Sequence, residues 1–295
     1  MSDLRERTVT VDPIDVHVVD WGDGVQPVLL VHGLGGNTVS WEPVGPLLAE
    51  RLGVTVTAPD LPGHGLTRLP AGQHGDFATH SRVLDALLAE LGPAIVVGNS
   101  MGGALSVALA ARSPELVRAL VLVDPAQPLG PGQHPHVGAM VRMAPTMFPP
   151  LGRFVLSTRA RVLGANRLVD STLATTMADR SRIDPALRQR LVDMTERRAS
   201  FPEATGAFVD STRSLFWYLT RRMPGDLGRV TVPTLLVHGD KDRLVSVNAS
   251  RALAKRRPDI TLEVIEDCGH TPQLECPEHF VDLVGTWVAG AVPAR

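Results

Sequence analysis

The chain has 295 residues, of which 44% are hydrophobic and 20% charged, the composition of an ordinary globular protein with a buried core. Its formal net charge of −2 gives no general attraction to nucleic acid or to a membrane surface, so a small-molecule partner is expected instead. The charged N-terminus lacks the apolar segment of a signal peptide, and the apolar runs are too short to span a bilayer.

These features predict a cytoplasmic protein, present as a monomer or a homodimer. Two cysteines, Cys268 and Cys276, are too few for a disulfide framework or for a zinc site of the usual kind. No metal and no cofactor are therefore expected.

Strands alternate with helices in the first part of the chain. An apolar run at 27–31 is typical of a strand buried on both faces, and the alternating patterns at 7–11 and 14–20 predict two earlier strands. The elements predicted next are a helix at 41–52, a strand at 54–58, a helix at 77–91, a strand at 94–98, a helix at 101–113 and a strand at 119–123. This rhythm indicates a mostly parallel sheet with helices on both faces.

The rhythm stops between Pro125 and Asp226, where the sequence opens with six prolines and then shows helical patterns alone. Asp184-Pro185 is a typical helix start, an N-cap followed by proline at the first helical position. The alternation resumes with a strand at 232–237, a helix at 248–256, a strand at 261–265 and a helix at 277–288. We therefore predict an α/β core made of residues 1–125 and 226–295, interrupted by a helical insertion at 126–225.

A Gly-x-Ser-x-Gly pattern at 98–102 places Ser100 between a predicted strand and a predicted helix. Such a sharp turn tolerates no bulky neighbours, and Gly98, Gly102 and Gly103 provide the necessary space. The Ser100 hydroxyl is thus a candidate nucleophile, with the Met101 N–H at the positive end of a helix, where it can bind an oxyanion. The alternative is a glycine-rich turn that serves only tight packing or a phosphate site.

A serine nucleophile needs a base, and His270 follows the last predicted strand in a loop of turn-forming residues. Asp242, after the strand that ends at Val237, is favoured as the carboxylate that orients the imidazole. The other candidate acids are Asp240, Asp124 and Asp267. A serine, an aspartate and a histidine in that order, each after its own strand, argue for a catalytic triad.

These motifs together resemble the α/β-hydrolase superfamily over essentially the whole chain. The matching segments are 32–36, 60–65, 98–102, 238–242 and 269–270. The resemblance implies an α/β-hydrolase fold with a mostly parallel eight-stranded sheet and an inserted helical cap (lid) domain at 126–225. It also implies that Asp242 is the triad acid and that the Leu34 and Met101 N–H groups form the oxyanion hole.

The residue at position 100, in the sharp turn at 98–102, limits the reactions that the resemblance implies. Capped relatives that open epoxides or displace halide carry a carboxylate where this chain has Ser100, so those reactions are disfavoured. The preferred hypothesis is a carboxylesterase-like serine hydrolase that acts through an acyl-enzyme on a small, largely apolar substrate, because the segment 269–275 resembles carboxylesterases. The first alternative is a carbon–carbon bond hydrolase of ring-fission diketones, because the nucleophile turn of those enzymes is similar to 98–103. The second alternative is a ligand-binding relative without turnover. The sequence differs from that of the carbon–carbon hydrolases at two places, which are the glycine-containing segment 34–36 and Thr271.

The insertion has its own composition. It contains six of the eight methionines and five of the seven phenylalanines, which indicates either an apolar cover over the substrate or simply a core of its own. It also carries 14 arginines against seven acids. These arginines, among them Arg182 and Arg198, either contact an anionic substrate group or pair with acids of the core.

Overall fold

A computed structural model describes residues 4–128, 138, 141 and 143–292. Within them the strands are β1 (Arg5–Val11), β2 (Ile14–Trp21), β3 (Pro27–Val31), β4 (Thr55–Pro59), β5 (Ala94–Asn99), β6 (Val117–Val123), β7 (Thr234–Gly239) and β8 (Ile260–Ile265). They form an eight-stranded sheet in the order β1-β2-β4-β3-β5-β6-β7-β8. β2 is antiparallel to both of its neighbours, and the other pairs are parallel, which confirms the predicted fold class.

The helices of the core lie on both faces of the sheet. They are α1 (Gly45–Leu52), α2 (Phe77–Leu91), α3 (Met101–Arg112), α8 (Val247–Arg256), α9 (Pro272–Glu275) and α10 (Pro277–Ala291). The predicted helix at 41–52 is wrong at its start, because a short 3-10 helix (Thr38–Trp41) precedes α1. Pro43 and Pro46 explain the break, since proline is tolerated in the first turn of a helix and not in its interior.

The central strands contribute to two hydrophobic cores, one on each face of the sheet. In β3, Leu29 and Val31 pack in the core that contains α2 and α3, whereas Val28 and Leu30 pack in the core that contains α1 and α10. Successive side chains of a strand point to opposite faces, so a strand covered on both sides must be apolar throughout. This is the physical reason for the continuous apolar runs in the sequence.

A helical region is inserted between β6 and β7. Its helices are α4 (Pro149–Thr176), which is broken at Gly164, α5 (Pro185–Ala199), α6 (Ala204–Arg221) and α7 (Met223–Arg229). α5 begins as predicted, because the Asp184 side chain accepts a hydrogen bond from the Leu187 N–H at 2.7 Å. The predictions for 129–137, 139, 140 and 142 lie outside the described residues.

The inserted helices form a small core of their own, built around Val169, Leu173 and Met177. Two residues of the α/β core, Val39 and Leu274, are part of this cluster. The insertion is therefore packed directly onto the loops that follow β3 and β8.

Two further sequence expectations concern membranes and disulfides. Among the described residues, no helix combines the length and the apolar character needed to cross a bilayer. Cys268 and Cys276 are free thiols whose Sγ atoms lie 3.5 Å apart.

Candidate active site

The three residues of the predicted triad lie at one edge of the sheet. Ser100 follows β5 directly, Asp242 lies three residues after β7, and His270 lies five residues after β8. These strands are parallel, so their carboxyl ends meet at the same edge. The topology thus gathers side chains that are up to 170 residues apart in the sequence.

Ser100 occupies a strained turn between β5 and α3. Its φ of 54° and ψ of −114° are uncommon for a residue with a side chain. A Cβ on Gly98 would lie 2.4 Å from the Gly102 carbonyl oxygen, and a Cβ on Gly102 would lie 2.0 Å from the Val31 carbonyl oxygen. Glycine is therefore required on both sides of the serine for steric reasons, as the sequence predicts.

Asp242 and His270 form a buried hydrogen-bonded pair. The distance from His270 Nδ1 to Asp242 Oδ2 is 2.7 Å, and Asp242 Oδ1 accepts hydrogen bonds from the Leu244 and Val245 N–H groups at 2.7 and 3.0 Å. Because a carboxylate only accepts hydrogen bonds, Nδ1 carries the proton and Nε2 is left with a lone pair. The imidazole therefore has the tautomer that a general base needs.

Charge stabilises the ionised form of Asp242. Burial by itself would raise its pKa, but attraction to the protonated form of His270 and the hydrogen bonds from His238 and His270 outweigh burial and lower the pKa below the usual range. Asp242 is consequently an anion at neutral pH. It can stabilise a positive charge on a protonated His270.

Asn99 connects the serine turn to the histidine loop. Its Nδ2 donates hydrogen bonds to the carbonyl oxygens of His270, at 3.0 Å, and of Val123, at 3.1 Å. The Ser100 N–H also donates to the Val123 carbonyl at 3.0 Å. The backbones of Ser100 and His270 are thus fixed through one buried amide side chain.

The other acids considered from the sequence have different partners. Asp240 pairs with Lys241 at 3.3 Å, and Asp267 pairs with Arg182 at 2.5 Å. Asp124 is buried next to the pair, and its Oδ1 accepts a hydrogen bond from the Gly239 N–H at 2.9 Å. Burial raises the pKa of Asp124 well above its usual value, which favours the neutral form of this carboxyl group.

Asp124, His238 and Asp242 are also the residues whose spacing would suit a metal ion, with potential ligand atoms within 4.8 Å of one another in the described part of the chain. However, Asp242 already bonds His270, and His238 Nε2 lies 3.1 Å from the Val245 carbonyl oxygen. His238 Nδ1 lies 2.8 Å from Ser250 Oγ. These hydrogen bonds fit a buried polar network that supports the triad.

The two residues predicted to form the oxyanion hole lie in segments next to Ser100. Met101 is the first residue of α3, directly after the serine. Leu34 lies in the loop after β3, where a Cβ on the neighbouring Gly33 would stand 3.1 Å from Ser100 Cβ. The loop is therefore in contact with the serine, as an oxyanion hole at this position requires.

The aromatic residues and methionines of the insertion have different surroundings. Phe208 in α6 lies against the loop after β3, since a Cβ on Gly35 would be 3.1 Å from its ring. Met177 belongs to the core of the insertion, whereas Phe216 and Trp217 are 58% and 54% exposed. Phe208 is thus in contact with the loop whose Gly33 lies next to Ser100.

Two arginines of the insertion pair with acids of the α/β core. Arg182 bonds Asp267, and Arg190 bonds Glu42 at 2.5 Å. Arg198 differs, because it is largely removed from solvent and its Nη2 donates to the Gly63 carbonyl at 2.7 Å. Among the described residues, its Nε has no hydrogen-bond acceptor.

Comparison with known proteins agrees with this geometry. A family model described as "alpha/beta hydrolase fold" matches residues 26–277. The chain belongs to the alpha/beta hydrolase fold family. The eight-stranded, mostly parallel sheet of this alpha/beta hydrolase agrees with that family.

Its relatives include enzymes of two reaction classes. A 2-hydroxy-6-oxo-2,4-heptadienoate hydrolase of Pseudomonas putida is 30% identical over 290 residues, which cover 96% of this chain and 96% of that protein. A pimeloyl-[acyl-carrier protein] methyl ester esterase of Aromatoleum aromaticum is 30% identical over 272 residues, covering 89% and 98%. The solved structure of a bacterial membrane phospholipase A is 26% identical with a TM-score of 0.75, covering 98% of this chain and 86% of that one.

Some residues that support the site are not predicted from the sequence. The bridging role of Asn99 and the packing of His238 against the two aspartates depend on contacts between distant segments. Glu275 is part of the segment that resembles carboxylesterases, but the sequence indicates no role for it. Its position at the end of a short helical turn that begins with Pro272 gives no hint of burial.

Proposed function

We propose that this alpha/beta hydrolase is a serine hydrolase that cleaves a carboxylic ester or related acyl bond through an acyl-enzyme. The observation that carries the proposal is the 2.7 Å bond between His270 Nδ1 and Asp242 Oδ2, at the edge of the sheet where Ser100 is held in a strained turn. Nucleophile, base and orienting acid are the parts that nucleophilic acyl transfer needs.

Each group has one role in this reaction. His270 Nε2 takes the proton of Ser100 as the serine oxygen attacks the carbonyl carbon, and the Leu34 and Met101 N–H groups bind the resulting oxyanion. When the carbon–oxygen bond breaks, His270 returns the proton to the leaving alcohol. A water molecule then attacks the acyl-enzyme, with His270 again as the base, and releases the acid and Ser100.

A small, largely apolar substrate suits the surroundings of the serine. Phe208 lies against Gly35, and Leu34 in the same loop is a partly buried apolar residue. The Phe208 ring can cover an acyl or aromatic group while backbone N–H groups bind the carbonyl oxygen.

Carbon–carbon bond hydrolysis of ring-fission diketones is the second candidate. It is favoured by the similarity to the heptadienoate hydrolase of Pseudomonas putida. Such a substrate is anionic, and Arg198 is a partly buried cation on the insertion whose Nε has no acceptor among the described residues. Burial lowers the pKa of Arg198, although it stays a cation at neutral pH.

A fluorophosphonate probe tests the proposal directly, because it reacts covalently with an activated serine. We expect a single adduct on Ser100, located by mass spectrometry, and none in Ser100→Ala. Ser106 offers a matched control, since it lies on the same helix with its hydroxyl bonded to the Gly102 carbonyl at 2.7 Å. Ser106→Ala should be labelled like the wild type. An unlabelled wild type, or equal labelling of Ser100→Ala, contradicts the proposal.

The two bond types are separated by turnover. Short p-nitrophenyl esters release a coloured phenol when hydrolysed, whereas vinylogous diketones lose their absorbance when the carbon–carbon bond breaks. A higher kcat/KM for the esters supports the first candidate, and the reverse supports the second. A labelled enzyme that turns over neither class contradicts both substrate assignments.

A further inference from the structure

A buried carboxylate connects the histidine loop to the inserted helical region. Glu275 ends the short helix α9, and its side chain is fully shielded from solvent. Its two oxygens accept hydrogen bonds from the N–H groups of Gly269 at 2.8 Å, Ala178 at 3.0 Å and Asp179 at 2.8 Å. We call Glu275 and these three N–H groups the Glu275 clamp.

The clamp joins two segments that are about ninety residues apart. Gly269 precedes His270, whereas Ala178 and Asp179 follow α4 in the insertion. The contact is close, because a Cβ on Gly269 would lie 2.5 Å from the Thr176 carbonyl oxygen and 2.6 Å from the Ala178 nitrogen. The His270 N–H donates to that same Thr176 carbonyl at 2.5 Å. The backbone immediately before the His270 side chain is therefore fixed to the insertion.

The local sequence explains how Glu275 reaches this place. Pro272 starts α9, and the N–H groups of Leu274 and Glu275 bond the Thr271 carbonyl at 2.9 and 3.1 Å. This single turn of helix reverses the chain, so that the Glu275 side chain points back toward Gly269. On the outer side, Arg182 donates to the Asp267 carbonyl at 2.8 Å and lies 3.8 Å from Glu275 Oε1.

We propose that Glu275 is a positioning residue, which holds the His270 imidazole in place relative to Ser100 by locking the histidine loop to the segment at 176–179. This inference rests on the proposed role of His270 as the general base. A charged acceptor is well suited to the task, because three N–H donors converge on one buried group and a carboxylate has lone pairs for all of them. The insertion thereby affects the reaction rate by positioning His270 as well as by contacting the substrate.

Glu275→Gln tests the inference, because it keeps the shape of the side chain while replacing one acceptor oxygen with an NH₂ donor. One or two of the three N–H groups then lose their partner. Glu278→Gln is the matched control, since it makes the same chemical change on an exposed residue at the start of α10. Glu275→Asp keeps the carboxylate on a shorter side chain and should have an intermediate effect.

Two measurements are made on each variant. The first is amide hydrogen exchange at 176–179 and 269–270, which we expect to be faster in Glu275→Gln and unchanged in Glu278→Gln. The second is the rate of fluorophosphonate labelling of Ser100 against probe concentration. A misplaced imidazole lowers the maximal rate, here by about 10- to 100-fold, and leaves the half-saturating concentration unchanged.

The outcomes separate this inference from the hydrolase proposal. Faster exchange together with a lower maximal rate supports positioning by Glu275. Faster exchange with an unchanged maximal rate shows a purely structural role and overturns the inference, as does unchanged exchange. A wild type that is not labelled at Ser100 overturns the hydrolase proposal itself, which none of the Glu275 results does.

Discussion

Asp242 and Asp124 are two buried carboxyl groups with opposite shifts in pKa. Burial acts on both, but Asp242 bonds His270 and His238, which lowers its pKa, whereas burial dominates at Asp124 and raises its pKa. His238 lies between them, at 3.4 Å from Asp242 Oδ2 and 3.6 Å from Asp124 Oδ1. Two adjacent carboxylates repel each other, so the ionisation of one favours the neutral form of the other.

This asymmetry predicts that the same substitution has different effects at the two positions. In Asp242→Asn the amide no longer fixes the Nδ1–H tautomer of His270, and kcat should fall by about 10⁴-fold, as expected when a triad acid is neutralised. In Asp124→Asn one neutral group replaces another of similar shape, and kcat should stay within about threefold of the wild type. The measurement is steady-state ester hydrolysis by each variant.

Circular dichroism and thermal unfolding serve as controls for folding of the two variants. If Asp124→Asn loses as much activity as Asp242→Asn while both are folded, Asp124 is ionised or acts directly on His270. The first result contradicts the neutral form of Asp124, and the second contradicts the assignment of Asp242 as the only acid of the triad.

At the scale of a single element, the start of α3 shows how packing can reverse an ordinary helix preference. Gly102 lies in the first turn of this helix, where alanine normally stabilises the helical state relative to glycine. Here a Cβ would lie 2.0 Å from the Val31 carbonyl oxygen and 2.7 Å from the His32 carbonyl oxygen. Both obstacles are backbone atoms, which cannot rotate away as a flexible side chain would.

Gly102→Ala should therefore destabilise the protein in spite of the better helix propensity of alanine. We expect the free energy of unfolding to fall by about 1–3 kcal/mol or more, as for an overpacked core. Chemical denaturation followed by circular dichroism measures the change. Gly225→Ala, in open space on α7, is the matched control and should be neutral or stabilising. Equal effects of the two substitutions would show that α3 moves away from β3.

Most element positions follow from local patterns, whereas their boundaries depend on contacts. α2 spans Phe77–Leu91 as predicted, because Asp76 caps its first turn with a 2.8 Å bond to the Thr79 N–H and Gly92 follows its end. β6 begins two residues earlier than predicted, at Val117, where pairing with β5 extends the strand. The break of α4 at Gly164 is not predicted either, since a glycine inside a helical pattern is compatible with a continuous helix.

At the scale of the whole molecule, a cluster of buried histidines links stability to pH. The rings of His32 and His80 flank that of His64, with centroid distances of 5.4 and 5.5 Å. Burial lowers the pKa of all three side chains, with neighbouring positive charges adding to it, and that of His80 falls to about 3. Each of these histidines is therefore neutral in the folded protein.

The sign of the pH dependence follows from proton linkage. In the unfolded chain a histidine takes up a proton below about pH 6.5, whereas in the folded protein His80 does so only near pH 3. Between these values the unfolded state binds more protons, so the free energy of unfolding falls as the pH is lowered. The contribution of one such histidine approaches about 1.4 kcal/mol per pH unit.

His80→Leu should consequently make the free energy of unfolding less dependent on pH between 4 and 6. The substitution also removes the 2.9 Å contact of His80 Nε2 with Ser211 Oγ, so the slope against pH is the informative quantity and not the absolute stability. Urea denaturation at several pH values measures this slope. His279→Leu, at an exposed position, is the control. A slope that is unchanged in His80→Leu contradicts the neutral form of His80 in the folded state.

The sequence by itself determined the class of fold and the identity of the candidate triad. Apolar runs reveal strands covered on both faces, and the glycines around Ser100 are demanded by a turn that has no room for side chains. Such steric and hydrophobic constraints act on residues that are neighbours in the chain, so they can be recognised from the sequence.

Only the tertiary structure decided which groups meet. Asp242, and not Asp124, bonds His270, because β7 places its loop beside that of β8 while Asp124 is turned toward Gly239. The bonds of Glu275 to the insertion likewise join segments that no local pattern connects. The physical reason is that charge, burial and hydrogen-bond partners at these sites depend on distances between remote parts of the chain, which exist only after folding.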